Sequence, residues 1–194
     1  SLPPVDLGTG LTATAITAGN EHTCALLDNG EVKCWGNGWI GSLGQEGQDN
    51  IGDGGLNDVG MGDNLNPIDF GTAETVTKIA AGSGHTCAIF SSGAAKCWGA
   101  GAFGQLGNNS SSNIGDGANE MGSSLSNIIL QSTALSISGG YSHTCAILAN
   151  GSLKCWGSGN HGKLGYGNTI EIGSSPGNPN NMEALGPLDL GSSR

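Results

Sequence analysis

Apolar residues along this chain fall in short runs broken by glycine, and the order of the runs repeats. "HTCALL" at His22 and "EVKCWG" at Glu31 have strand character and are separated by Asp28-Asn29-Gly30. The pair returns as "HTCAIF" and "AAKCWG" around Ser91-Ser92-Gly93, and as "HTCAIL" and "SLKCWG" around Ala149-Asn150-Gly151. A three-residue hairpin loop favours glycine at its last, left-handed position, so each pair predicts a hairpin. Its register sets Cys24 opposite Cys34 and Leu26 opposite Val32, and likewise Cys87 opposite Cys97 and Cys145 opposite Cys155.

Upstream of each hairpin lies another apolar run, "TAITAG", "TKIAAG" or "LSISGG", closed by glycine. A fourth element reads "PVDLG" at Pro4, "PIDFG" at Pro67 and "PLDLG" at Pro187, with "NIILQ" at Asn127 in the equivalent place. Proline opening a strand suits an edge. The unit thus reads as four short strands, recurring about every sixty residues. Such a period marks stacked units that bury one another's faces. The expected fold is all-β: three propeller-like four-stranded blades, as a partial propeller or an open blade array, with long glycine-rich loops. The units run over about 11–71, 72–131 and 132–191 of a single domain, and 1–10 supply one surplus outer strand. Pro4, Val5, Asp6 and Leu7 of that strand are candidates for pairing with a neighbouring molecule, because strand donation caps an exposed edge.

Composition narrows the role. Glycine numbers 37 of 194 residues, which excludes a mostly helical chain. The net charge is -10 with only six Lys and Arg, so no basic surface is available for nucleic acid. No apolar run is long enough for a membrane-spanning helix. The chain opens with Ser1 and not Met, as a processed or excised product would. All six cysteines fall two per unit, an even and regular set that predicts disulfides and an oxidising, extracellular setting. The zinc alternative is weaker: nine residues separate the partners, and each unit lacks clear third and fourth ligands.

The string His-Thr-Cys-Ala, then Gly, then Lys-Cys-Trp-Gly-x-Gly-x-x-Gly-x-Leu-Gly resembles repeats of the regulator of chromosome condensation family. The resemblance runs from about Thr14 to Gly191 and implies propeller blades. The family's rings have seven blades. The cysteines facing across each hairpin are what disulfide-bearing extracellular relatives carry. The exchange-factor and chromatin roles of the founding member are not carried over, since fold alone does not set function.

Other motifs have plainer readings. "GNGWIG", "GAGAFG" and "GSGNHG" match a dinucleotide-binding glycine pattern, but each follows a strand and leads into a polar loop, so they read as turns. His22, His85 and His143 lie one per unit, and the expected role is to bond loop backbone at the strand entry rather than to share zinc. Trp35, Trp98 and Trp156 are expected between blades, with a sugar-stacking platform as the sharper alternative. Trp39 stands where the other units have Ala102 and Asn160, so it is a candidate for partner binding. Asp49, Asp53, Asp58 and Asp63 in the first long loop are candidate calcium ligands, although Asp-Gly is also ordinary turn chemistry. Sequons place candidate glycosylation at Asn108, Asn109 and Asn150.

No catalytic motif is present; a carboxylate pair meeting in space would be the one route to catalysis. The expected function is a secreted, non-enzymatic structural or adhesive module. Its partners would be copies of itself, joined into a fibre by strand exchange. The alternative is a propeller segment that recognises a glycan or a cell-surface protein through its loops.

Overall fold

The computed structural model describes residues 2–55, 59–176 and 180–191. It is all-β, as three antiparallel sheets of three strands each. The first blade holds β1 (Ala13–Ala18), β2 (His22–Leu27) and β3 (Val32–Gly36). The second holds β4 (Val76–Ala81), β5 (His85–Phe90) and β6 (Ala95–Gly99), and the third β7 (Ala134–Gly139), β8 (His143–Leu148) and β9 (Leu153–Gly157). Each hairpin has the expected register, with Cys24 facing Cys34, Cys87 facing Cys97 and Cys145 facing Cys155. The closing Gly30, Gly93 and Gly151 have φ of 84°, 82° and 80°, a conformation side chains resist. All three disulfides form, with Cα atoms 4.1 Å apart.

The fourth element is not a strand. Ile68, Ile128 and Leu188 each donate one backbone bond, to the carbonyls of Val32, Ala95 and Leu153. No ladder follows, because the chain turns at once. The carboxylates of Asp6, Asp69 and Asp189 accept from the N–H two residues on, at Gly8, Gly71 and Gly191. This local turn ends the extended stretch before a second pairing forms. Blades are therefore three-stranded with an outer segment beside them, and residues 4–8 form such a segment rather than a surplus strand.

The core lies between blades, in two clusters. One joins Cys24, Leu26 and Val32 of the first blade to Ala88, Phe90 and Trp98 of the second. The other joins Cys87, Ile89 and Cys97 to Ala146, Leu148 and Trp156. The long loops, though polar in composition, contribute to both clusters. Ile51, Ile114 and Ile172 pair with the glycine that ends each hairpin, at Gly36, Gly99 and Gly157. Met121 and Leu125 are buried in one cluster, Met182 and Leu185 in the other.

Candidate functional site

The recurring chemistry of the chain is at the joints between blades. His22 Nε2 lies 2.7 Å from Thr86 Oγ1 on the next blade, and His85 Nε2 lies 2.8 Å from Thr144 Oγ1. Thr144 Oγ1 itself donates to the Gln105 carbonyl at 2.8 Å, so the His85 Nε2–H is the donor across the joint. His85 Nδ1 is then a bare, buried acceptor, and it meets no hydrogen-bond partner. Burial, followed by the charges of His22 and His143, lowers the His85 pKa to about 4. The His22 and His85 imidazoles thus bond a hydroxyl on the neighbouring blade, not the loop backbone expected from sequence. Each ring has room because a glycine precedes it by three: a Cβ at Gly82 would lie 2.1 Å from His85 Cε1.

The tryptophans lock the same joints. Trp98 Nε1 donates to the Ser42 carbonyl of the preceding blade at 3.0 Å, and Trp156 Nε1 to the Gln105 carbonyl at 3.0 Å. Both rings are fully buried, and Phe70 packs edge-on against Trp98. Interblade packing is therefore the role of Trp98 and Trp156, as expected, whereas Trp35 of the first blade is only partly buried. The recurring lysines hold the outer segments. Lys33 Nζ donates to the Leu7 carbonyl at 2.9 Å, and Lys96 Nζ to the Phe70 carbonyl at 2.7 Å. Lys154 Nζ reaches Gln131 Oε1 at 2.9 Å. Burial pushes the Lys96 and Lys154 ammonium groups below the ordinary lysine range. Segments 67–71 and 127–131 thus bond the preceding blade through Ile68 and Ile128 and the following blade through the Phe70 carbonyl and the Gln131 side chain.

The sequence-selected loop residues are not gathered in one place. Trp39 is 70% exposed at a turn, its backbone N–H held by Asn37 Oδ1. Asp53 accepts from Asn50 Nδ2 and from the Gly55 N–H, a turn arrangement. Asp63 accepts from the backbone and hydroxyl of Thr9, which lower its pKa. Asp58 lies outside the described residues. Among the described residues no three His, Cys, Asp or Glu converge on a metal site. No helix among them is long and apolar enough to cross a membrane. Asn109 is buried, and its amide bonds Met182 N and Glu183 Oε2. The Asn108 carboxamide accepts from Ser110 N, and Asn150 is exposed in its hairpin turn.

Sequence reasoning missed the loop core. Its signal was a repeated "IG" followed by Met and then Leu three or four positions on: Met61–Leu65, Met121–Leu125 and Met182–Leu185.

The threefold recurrence of the blade agrees with the family comparison. The regulator of chromosome condensation (RCC1) repeat matches residues 13–45, 76–105 and 135–163. The chain carries three repeats of the regulator of chromosome condensation type. It is 30% identical over 164 residues to the ultraviolet-B receptor UVR8 of Arabidopsis thaliana, covering 84% of this chain and 33% of that protein. It is also 30% identical over 174 residues to the human E3 ubiquitin-protein ligase HERC2, covering 88% of this chain and 3% of that one. The chain therefore spans a third or less of these relatives. Among solved structures, human WBSCR16 superposes with a TM-score of 0.65 at 18% identity, over 92% of this chain and 39% of that chain. Prp20p of Saccharomyces cerevisiae gives 0.62 at 16% identity, over 91% and 38%. At such identities these RCC1-type neighbours speak for the fold.

Proposed function

We propose that this RCC1-repeat chain is a secreted, non-catalytic structural module that associates with copies of itself through its blades. The observation that carries the reading is the state of the two outermost blade faces. Ile16 of β1 is 70% exposed, whereas its counterpart Ile137 in the third blade is 9% exposed. Ile147 of β8 is 48% exposed, whereas its counterpart Ile89 is 2% exposed. Large aliphatic side chains left bare on the first and third blades favour burial against a further blade face. Three disulfides favour an oxidising compartment. Prp20p is described with binding properties to Gsp1p and histones, which supports protein binding as a use of this fold. A contact of unlike faces that does not close builds a fibre. Sedimentation from micromolar to near-millimolar protein, with electron microscopy, tests the reading. Mass should grow with concentration; a monomer throughout overturns it.

Trp39 favours a second reading, recognition of a glycan or a protein by the turn it occupies. An exposed indole with no framework role is suited to stacking. Binding on a glycan array that Trp39→Ala removes would support it, and equal binding by the variant would refute it.

A further inference from the structure

The two internal joints are built alike. At each, a histidine meets a threonine of the next blade, a tryptophan meets a loop carbonyl of the previous one, and an isoleucine of the inner strand enters the shared core. The outermost blades carry the unused halves of this set. Thr23 and Trp35 on the first blade are only partly buried, whereas Thr86, Thr144, Trp98 and Trp156 are fully buried. On the third blade His143 and Cys145 are partly exposed, whereas His22, His85, Cys24 and Cys87 are buried. The Lys163 carbonyl occupies the position of the Ser42 and Gln105 carbonyls that accept from tryptophan. A Cβ at Gly41 would lie 2.5 Å from the backbone nitrogen of Asp116 on the next blade, while one at Gly162 would meet nothing nearer than 3.8 Å.

We propose that two copies dock head to tail: the His143, Ile147 and Lys163-carbonyl face of one receives Thr23, Ile16 and Trp35 of the next. The inference rests on self-association as the function and names its surfaces and register. The occupant is a second copy because each face lacks what the other presents, and because the contact continues an interface the chain already forms twice. One outer segment is in excess at such a junction. Segment 4–8 is tied down by Lys33, by the Gly62 N–H on the Asp6 carbonyl and by the Thr9–Asp63 bonds. Segment 187–191 is held through Leu188, and Leu190 stands in solvent. The trailing segment therefore yields, and the Val5 N–H takes the Leu153 carbonyl.

The test uses Ile16→Glu and Ile147→Glu in the full chain, with near-ultraviolet circular dichroism and disulfide mapping to verify the fold. Both sites are exposed, so both variants should fold. Each face would then bury an unpaired carboxylate, weakening association by about a hundredfold or more. Each variant alone should be monomeric where the parent assembles. An equimolar mixture should give dimers and nothing longer, because one intact pair of faces remains. If the parent assembles and either variant alone assembles as well, or the mixture stays monomeric, the proposed register is wrong while self-association stands. If the parent never assembles, both fail.

Discussion

Acidification should loosen the joint between the second and third blades, and His85 sets the size of the effect. Its ring is fully buried, its Nε2–H is committed to Thr144, and its Nδ1 has no acceptor for a second proton. Its pKa is lowered from 6.5 to about 4. A folded-state pKa below the unfolded value means that the unfolded chain binds the proton first. The stabilisation is therefore complete above the unfolded value and declines as pH falls from about 6.5 toward about 4, where the folded protein also titrates. The gap corresponds to about 3 kcal/mol at most. Urea unfolding at a series of pH values measures it, with His85→Gln as the comparison, since an amide keeps a donor and cannot titrate. The parent should lose stability across this window, and the glutamine variant should lose distinctly less. The His85 ring proton followed by NMR should titrate near the lower end. A ring that titrates near its ordinary value, or equal pH slopes for both proteins, would refute the reasoning.

Four further outcomes are expected. Replacing both Cys24 and Cys34 by serine should cost about 2–3 kcal/mol on the chain-entropy account, read as a lower urea midpoint. Met121→Ala should cost about 2–4 kcal/mol although it lies in a polar loop, because Met121 is 4% exposed within the interblade core; a neutral result would remove that loop from the core. Gly82→Ala should be among the most damaging single changes, since its Cβ meets the His85 ring and the Gly140 carbonyl at 2.1 and 2.4 Å; soluble protein with an unchanged melting temperature would contradict this. Trp39→Ala should leave stability within about 0.5 kcal/mol by thermal melting, as exposed positions do.

The hairpins were legible because their signals are local. Alternation fixes the faces of a strand, and the glycine at the third loop position fixes the register, so Cys24 opposite Cys34 could be read directly. The partner of His85 could not, because Thr144 lies on a different blade and nothing between them in sequence marks the approach. The outer segments were misread for a different reason. "PVDLG" has the apolar alternation of a strand, but the Asp6 side chain bending back to the Gly8 N–H outweighs it after two residues. The loops hid their core because Ile51 and Met61 are isolated among glycine and acidic residues, and only comparison between units shows that they recur. Trp39 broke the repeat and proved exposed, whereas in the acidic loop after it Asp53 serves a turn and Asp63 ties down Thr9.

The double attachment of the outer segments changes what counts as a unit of the fold. Segment 67–71 belongs to the first blade through Ile68 and to the second through the Phe70 carbonyl on Lys96. A blade therefore cannot open on its side nearest the previous unit without stripping its neighbour's third strand of that bond. Nearest-neighbour terms of this kind, added to the buried clusters between blades, outweigh what a single three-stranded sheet holds by itself. The cooperative element is the joint rather than the blade, and a lone repeat excised at its sequence boundaries would keep its staple and lose most of its core.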